Sequence, residues 1–327
     1  MTKLRKRIRR VLEHPRGPRI TVIRAGGLGD TLLVLPVAEA FLREAPEASV
    51  TLLGSAWAER LHPLLKSPLH VARMDSAEVT PLFAEDVEKD PTGLLAEASV
   101  VVAYCSRPPD TLTRNARRLC PGRVIEWPVH PDGTVHATVH FLRAVASAPA
   151  PVHVPPPALA VPRNARRWAE RTIAEVFGRG VRPVAVHPGS GGRRKCWPVE
   201  RFAGLIELIE HPVLLLEGPA DAEAAGALAC LLPAGLPVAQ FGVLPLGRAA
   251  ALLSCSGLYV GNDSGLTHMA AALGGPTVAV FGPTDPAVWA PRGRRVVVCR
   301  AADAEGGAWP EPDEVLRAVQ RLRRPQP

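Results

Sequence analysis

The sequence contains an Asn-Asp-Ser-Gly turn, GNDSG at residues 261–265, between an apolar run and an alanine-rich run. A helix that begins after such a turn presents unpaired N–H groups and a partial positive charge, which together favour a bound phosphate. Ser264 and Gly265 have small side chains that let a ligand approach the backbone. Two interpretations of Asp263 stay open: its carboxylate caps the helix, or it accepts a hydrogen bond from a sugar hydroxyl.

A second loop, HPGSGGRRKCWP at residues 187–198, combines glycines with the cations Arg193, Arg194 and Lys195. A glycine-rich backbone beside a lysine is typical of phosphate binding. The loop is not a Walker A sequence, because Arg194 stands where that motif has its last glycine. It is not a hydrolase nucleophile elbow either, because Pro188 replaces the first glycine. Its position after a predicted strand favours phosphate binding over the alternative of a solvated basic turn.

A third loop, AGGLGD at residues 25–30, ends in the carboxylate of Asp30. It lacks the full Gly-x-Gly-x-x-Gly fingerprint of a dinucleotide site, and no acidic residue suited to a ribose follows at the expected distance. Asp30 either caps the next helix or acts as a general base. The second role requires only that a substrate hydroxyl approach within hydrogen-bonding distance.

Strands and helices are predicted around these loops in the order expected for parallel sheets. In the first half the predicted strands are RITVIR (19–24), SVTLLG (49–54) and SVVVAYC (99–105). The segment TLLVLPVAEAFLREA (31–45) predicts a helix in which Pro36 causes a late start or a kink. Strands this apolar, alternating with helices, indicate a parallel sheet covered on both faces.

The same alternation restarts after a proline-rich segment, residues 148–163, which is short of backbone donors and predicts a stiff connector. The predicted strands that follow are RPVAVHPGS (182–190), PVLLLEG (212–218), PVAQFG (237–242), GLYVG (257–261) and PTVAVFG (276–282). The predicted helices between them are PVERFAGLIELIE (198–210), DAEAAGALACLL (221–232), LGRAAALLSC (246–255) and LTHMAAALG (266–274).

This pattern predicts two doubly wound α/β domains with a ligand-binding cleft between the carboxyl ends of their sheets. The predicted boundaries are an N-terminal domain at 1–150, a linker at 151–163 and a C-terminal domain at 164–327. A chain of 327 residues is long enough for two domains of this size.

The formal net charge of +8 is concentrated at the N-terminus. Six cations there (Lys3, Arg5, Lys6, Arg7, Arg9 and Arg10) alternate with apolar residues at helical spacing. This segment either lies on an anionic membrane surface or is a solvated terminus. Nucleic acid is a less suitable partner, because only 5% of the residues are aromatic and no binding motif accompanies the basic run.

Six cysteines without a Cys-x-x-Cys pair are typical of free thiols in a reducing cytosol. The apolar runs are too short for a membrane span, and no apolar segment of a signal peptide follows the basic start. We therefore expect a cytoplasmic protein, in peripheral contact with the inner face of the cytoplasmic membrane if the basic segment binds there.

Three signatures resemble the bacterial heptosyltransferases, glycosyltransferase family 9. They are GLGDTLLVLP (27–36), HPGSGGRRKCWPVERF (187–202) and NDSGLTHMAAALGGPTVAVFGPTDPAVWAP (262–291), and in order and spacing they cover most of the chain. The resemblance implies a GT-B fold, in which two Rossmann-like domains face each other across a cleft. It also implies transfer of a heptose from an ADP-sugar to the inner core of lipopolysaccharide, with inversion at the anomeric carbon and without a metal or other cofactor.

The resemblance assigns the loop at 25–30 to catalysis and the loop at 187–198 to donor binding. Asp30 matches the proposed catalytic base of the family. Lys195 matches the lysine that holds the donor diphosphate, and Ser190 and Gly191 are its backbone neighbours.

The same resemblance implies further donor contacts. Asp263 matches the acid beside the donor sugar, and the matching phosphate-binding backbone is that of Ser264, Gly265 and Leu266. His268 occupies the family's Gly-x-x-His position, although a histidine on a helix of small residues is also explained as a hydrogen-bonded packing residue. Glu223 and Asp221 are alternative ligands for the ribose hydroxyls.

The acceptor site is the least defined. Arg60, Arg114 and Arg117, with Arg107 and Arg118, either meet acidic groups of a glycolipid acceptor or are ordinary surface charges. The chain has no Asp-x-Asp motif for a divalent cation, so positive groups of the protein should stabilise the leaving nucleotide. The alternative functions are a nucleotide-sugar epimerase or hydrolase of the same architecture, and a non-catalytic sugar-nucleotide-binding protein. A product assay separates these three.

Overall fold

The structure, a computed structural model, describes residues 17–106, 109–146, 154–301 and 308–323. The chain divides into two compact units, residues 1–157 and 158–327. The basic N-terminal segment, Arg107 and part of the predicted linker lie outside the described residues. The last residue of that linker, Arg163, begins a helix.

The first unit is a parallel five-stranded sheet with the order β3-β2-β1-β4-β5. Its strands are β1 (Arg19–Arg24), β2 (Ser49–Gly54), β3 (His70–Arg73), β4 (Val100–Cys105) and β5 (Arg123–Pro128). Its helices are α1 (Leu28–Glu44), α2 (Ala56–Leu61), α3 (Thr111–Leu119) and α4 (Ala137–Arg143), with short 3-10 helices at His62–Leu64 and Thr80–Phe83.

Helix α1 places Asp30 in its first turn. The helix begins at Leu28, so the late start predicted from Pro36 is wrong, and Pro36 lies within it. Gly26 enters the helix with a φ of +138°, a region that only glycine visits readily, and a Cβ there would lie 2.6 Å from a carboxylate oxygen of Asp30. The close approach of this backbone to Asp30 therefore requires glycine.

The second unit is a parallel six-stranded sheet with the order β11-β10-β9-β6-β7-β8. Its strands are β6 (Val184–His187), β7 (Val213–Leu216), β8 (Val238–Phe241), β9 (Leu258–Asn262), β10 (Thr277–Phe281) and β11 (Val296–Arg300). Its helices are α5 (Arg163–Phe177), α6 (Val199–Ile209), α7 (Ala222–Leu231), α8 (Leu246–Cys255), α9 (Gly265–Ala272), α10 (Pro286–Trp289) and α11 (Pro312–Arg323), and Arg193–Lys195 form a 3-10 turn.

The strand orders confirm the predicted doubly wound α/β architecture. In both sheets the chain reverses direction across the sheet at one place: between β1 and β4 in the first unit and between β6 and β9 in the second. Loops that leave two such neighbouring strands diverge and open a crevice at their carboxyl ends, the usual ligand position in open α/β sheets. Those loops lead to Asp30 in the first unit and to Lys195 and Asp263 in the second.

The predicted strands are all present within one or two residues of the predicted ends, apart from the longer segment at 182–190, where only Val184–His187 is strand. Strands β3, β5 and β11 were not predicted. All three are edge strands with partly exposed residues. In β3 and β5 charged residues interrupt the apolar run that marks a buried strand, whereas β11 contains the apolar run VVVC (296–299) and was missed despite it.

Candidate functional site

The centre of the site in the second unit is an ion pair between Lys195 and Asp263. The Nζ of Lys195 lies 2.8 Å from Oδ2 of Asp263. The lysine side chain is 40% exposed, whereas the aspartate side chain is only 7% exposed. An ammonium group has three N–H donors, so this pairing leaves others for a ligand. Asp263 thus fixes a partly exposed positive charge at the sheet's carboxyl edge.

Asp263 is held from several directions. Thr284 donates a hydrogen bond from Oγ1 to the same carboxylate oxygen at 2.9 Å. Ser190 donates from Oγ to the backbone oxygen of Asp263 at 2.6 Å. The Nε2 of His268 lies 4.0 Å from the other carboxylate oxygen, and His268 itself is buried. The position of this acid is therefore set by loops that follow three different strands.

The cap of helix α9 is Ser264, not Asp263. Oγ of Ser264 accepts from the amide of Thr267 at 3.4 Å, and the carboxylate of Asp263 points to Lys195 and Thr284 instead. The helix-capping interpretation of Asp263 is wrong. The side-chain oxygen of Ser264, a residue with extended backbone, satisfies an amide of the first turn, which releases the acid for the ion pair.

The first two amides of helix α9 have no hydrogen-bond acceptor within the described residues. These are the N–H groups of Gly265 and Leu266, and both residues are partly exposed, whereas Asp263, Ser264 and Thr267 are buried. Two orphan donors at the positive end of a helix dipole form an anion-binding position. Lys195, which could add a formal positive charge at this position, is paired with Asp263, two residues before Gly265.

The two candidate ribose acids differ sharply in environment. Asp221 is buried, and its Oδ2 accepts from Nε2 of His187 at 2.8 Å and from the amide of Gly218 at 3.1 Å. Glu223 lies in the first turn of helix α7 with a side chain that is 77% exposed, in an ion pair with Arg193. Because Asp221 is committed to contacts within the protein, Glu223 is the acid available to a ligand.

Two residues secure the loop after β6. Asn262 accepts from the amide of Trp197 at 2.9 Å and donates to the carbonyl oxygen of Pro188 at 2.7 Å. Gly189 packs against Asp221 so closely that a Cβ would lie 1.9 Å from the carboxyl carbon, whereas a Cβ on Gly191 would meet nothing within 4 Å. The loop is therefore tight at its start and open at Gly191, where a ligand has room.

Asp30 in the first unit has both a capping role and an accessible carboxylate. Its Oδ2 accepts from the amide of Gly27 at 2.9 Å, and its Oδ1 lies 2.6 Å from a guanidinium nitrogen of Arg24. The Asp30 side chain is 35% exposed, but that of Arg24 is only 9% exposed. Burial lowers the pKa of Arg24, and the charge of Asp30 opposes this shift. The sequence-based capping interpretation is confirmed, and it leaves lone pairs on the carboxylate for a substrate proton.

The candidate acceptor arginines are exposed and are placed on two helices of the first unit. The guanidinium of Arg60, on α2, lies 5.1 Å from the ring centre of Trp57. Arg114, on α3, donates to Oγ1 of Thr111 at 2.9 Å, and Arg117 pairs with Glu126 at 2.8 Å. These local contacts use only some of the N–H donors of each guanidinium group, so other donors are available to a ligand.

The cysteines are all free thiols, as predicted. Within the described ranges, no helix is long and apolar enough to cross a membrane. Among the same residues, no group of three or more His, Cys, Asp and Glu side chains is arranged to hold a metal ion.

Three functional contacts were missed by sequence reasoning: Thr284 on Asp263, Arg24 on Asp30, and His187 between Asp221 and Ser264. Thr284 follows β10 closely, and His187 and Arg24 are the last residues of β6 and β1. A position at the carboxyl end of a predicted strand is therefore the one signal that could have marked all three.

A protein family, several curated proteins and several solved structures are similar to this chain. Residues 115–310 match the family described as glycosyltransferase family 9 (heptosyltransferase). Lipopolysaccharide heptosyltransferase 1 of Escherichia coli O18:K1:H7 is 34% identical over 114 residues, which is 34% of this chain and about a third (34%) of that protein's length.

Two solved structures are similar over nearly the whole chain. ADP-heptose lipopolysaccharide heptosyltransferase II of E. coli has a TM-score of 0.76 at 19% identity, covering 93% of this chain and 98% of that one. E. coli heptosyltransferase WaaC with ADP has a TM-score of 0.65 at 19% identity, with the same coverage. These likenesses show the fold, which is the predicted GT-B fold.

Proposed function

Because this chain belongs to glycosyltransferase family 9, we propose that it is an inverting, metal-independent glycosyltransferase. It transfers a heptose or a related sugar from an ADP-sugar to an inner-core acceptor of lipopolysaccharide. The names of the similar proteins support the sugar and the acceptor, and a similar structure with bound ADP supports the nucleotide. We also propose that it works at the cytoplasmic face of the inner membrane, where a soluble nucleotide-sugar and a lipid-linked acceptor meet.

The observation that carries the proposal is the combination of Lys195 with the unpaired amides of Gly265 and Leu266. The ammonium is fixed by Asp263, whose chain neighbour Ser264 caps the helix that presents those amides. A diphosphate carries charge on both phosphates, so it suits one lysine and one helix N-terminus side by side. The sugar then lies beside Asp263, and Ser190, Gly191 and His268 complete the donor contacts.

Glu223 is the proposed ligand for the ribose hydroxyls. It stands at the start of α7, after the strand next to β6 in the sheet, and its carboxylate is exposed. A carboxylate accepts from two neighbouring hydroxyls at once, as acids in Rossmann-like sites do. The pairing with Arg193 orients the carboxylate without burying it.

The reaction is a direct displacement at the anomeric carbon. The acceptor oxygen forms a bond to that carbon as the bond to the phosphate oxygen breaks, and ADP leaves with the electron pair. Asp30 takes the proton of the acceptor hydroxyl. Lys195 and the α9 amides stabilise the charge that grows on the leaving diphosphate, which lowers the barrier because they are already in place.

Arg24 holds the base in position. Its guanidinium binds one carboxylate oxygen of Asp30 while the backbone of Gly27 binds the other, so the carboxylate cannot rotate freely. A fixed base presents its lone pairs to the acceptor hydroxyl in a constant direction. Arg60, Arg114 and Arg117 are the proposed contacts for the acidic groups of the acceptor.

The proposal is tested by incubating the protein with ADP-heptose and a truncated lipopolysaccharide acceptor. Equal amounts of ADP and glycosylated lipid are expected, with the opposite anomeric configuration in the product. ADP or free sugar formed without any lipid product would identify a hydrolase, and a rearranged nucleotide-sugar would identify an epimerase. The assay is repeated in EDTA, and a loss of activity that magnesium restores would contradict metal independence.

A further inference from the structure

His187 links the loops that follow β6, β7 and β9 in the proposed donor site. It is the last residue of the central strand β6, and it is buried. Its Nε2 lies 2.8 Å from Oδ2 of Asp221, in the loop after β7, and its Nδ1 lies 3.4 Å from Oγ of Ser264, in the loop after β9. Both ring nitrogens are therefore used, one on each neighbouring loop.

The direction of these hydrogen bonds follows from the partners. A carboxylate only accepts, so Nε2 of His187 carries a hydrogen and donates it to Asp221. Thr267 donates its hydroxyl hydrogen to the carbonyl oxygen of Asn262, so its Oγ1 accepts the hydroxyl hydrogen of Ser264 at 3.0 Å. Oγ of Ser264 in turn accepts from the amide of Thr267, and Nδ1 of His187 lies 3.4 Å from that same oxygen. His187 thus contacts the oxygen atom that caps the phosphate-binding helix.

Asp221 also has close contacts with the backbone of two glycines. Its Oδ2 also accepts from the amide of Gly218, and a Cβ on Gly218 would lie 2.3 Å from that oxygen. Gly189, in the loop after β6, closes over the carboxyl carbon. Asp221 directly precedes α7, the helix that carries Glu223. The acid is therefore enclosed by backbone and coupled to the proposed ribose-binding helix.

We propose that His187 and Asp221 are a buried positioning pair for donor binding. The pair fixes the cap of α9 through Ser264 and the start of α7 through the backbone of Asp221, so the diphosphate and ribose contacts keep a constant spacing. Neither residue touches the nucleotide. This inference rests on the proposed function and adds to it the residues that set the affinity for the nucleotide.

The test is a double-mutant cycle on ADP affinity, measured by calorimetry with the full chain. His187→Gln keeps an amide donor near Asp221 but loses the contact of Nδ1 with Ser264, and Ser264→Ala removes the other partner. Each single variant is expected to weaken ADP binding about tenfold, and the double variant to bind no more weakly than Ser264→Ala alone. His211→Gln, the same change in the same unit outside the site, is expected to bind ADP as the unmodified chain does.

Asp221→Asn provides a second variant that preserves the enclosed shape. Its amide oxygen can accept from His187 and Gly218, so ADP affinity should fall less than threefold, whereas Asp221→Ala should lower it about tenfold or more. Additive effects of His187→Gln and Ser264→Ala, or unchanged affinity in His187→Gln, would overturn the inference while leaving the proposed function intact. Failure of the unmodified chain to bind ADP would overturn both.

Discussion

Lys195 and Asp263 are 68 positions apart in the sequence, and their side chains meet at 2.8 Å. The contact joins the loop after β6 to the loop after β9, the two strands between which the second sheet reverses its order. In the proposed donor site the acid is therefore both a partner for the sugar and the anchor of the phosphate-binding cation. One buried carboxylate therefore sets the spacing between the two parts of the proposed donor site.

Replacing Lys195 with Met should weaken donor binding about 10- to 100-fold, because a charge-assisted hydrogen bond to phosphate is worth roughly 1.5–3 kcal/mol. Arg194→Met is the matched control in the same loop. Arg194 is exposed, and no ion pair to it is found within the described part of the chain. The measurement is the Kd for ADP and the KM for the sugar donor. Equal losses in the two variants would show that the loop contributes general positive charge only.

Asp30→Asn should lower kcat by at least about 100-fold, because the amide retains the hydrogen bond to Gly27 but cannot take a proton. The Kd for ADP should stay within about twofold, since the proposed donor contacts lie in the other unit. Asp75→Asn, which alters an exposed carboxylate paired with Arg73 in the same unit, should leave kcat unchanged. Normal turnover by Asp30→Asn would contradict the assignment of Asp30 as the general base.

Gly189→Ala should destabilise the fold, because its Cβ would lie 1.9 Å from the carboxyl carbon of Asp221 and the loop must shift. A loss of about 1–3 kcal/mol in the free energy of unfolding is expected from such overpacking. Gly191→Ala is the control in the same loop, where a Cβ meets nothing within 4 Å, and it should change stability by less than about 1 kcal/mol. Urea denaturation of both variants decides the matter, and equal stabilities would contradict the close packing.

Stability should fall at alkaline pH partly through Cys299. Burial, and secondarily the charge of Glu314, raises the pKa of this thiol from 9.0 to about 11. Above pH 9 the unfolded chain releases a proton that the folded chain retains, so the free energy of unfolding decreases as pH rises from 9 to 11. Between pH 8 and 10.5 the unmodified protein should lose about 2 kcal/mol more than Cys299→Ala. Parallel pH profiles for the two proteins would show that the buried thiol does not contribute.

The sequence predicted the central strands well, and the physical reason is burial. Strands β1, β4, β6, β9 and β10 lie inside their sheets and are predominantly apolar, so their composition identifies them. The loops that follow the central strands were found for the same reason, because their position depends only on where those strands end. The edge strands β3 and β5 were missed because charged residues interrupt their apolar pattern, and β11 was missed although it contains the apolar run VVVC (296–299).

The site residues divide in a similar way. Asp30, Lys195 and Asp263 were chosen because a charged residue directly after a strand or a glycine-rich turn is visible in the sequence. Thr284 and Arg24 were not chosen, because their importance comes only from the carboxylates that they contact, and both contacts depend on the folded backbone.

By itself, the sequence determined which segments become strands and which turns are rich in glycine and charge, because burial and backbone conformation act locally along the chain. Only the tertiary structure decided how the charges are shared: that Ser264 rather than Asp263 caps α9, that Asp221 is buried on His187 while Glu223 stays exposed, and that Lys195 pairs with Asp263. These pairings arise between loops that follow different strands. Their geometry is fixed by the order of strands in the sheet, which no local pattern encodes.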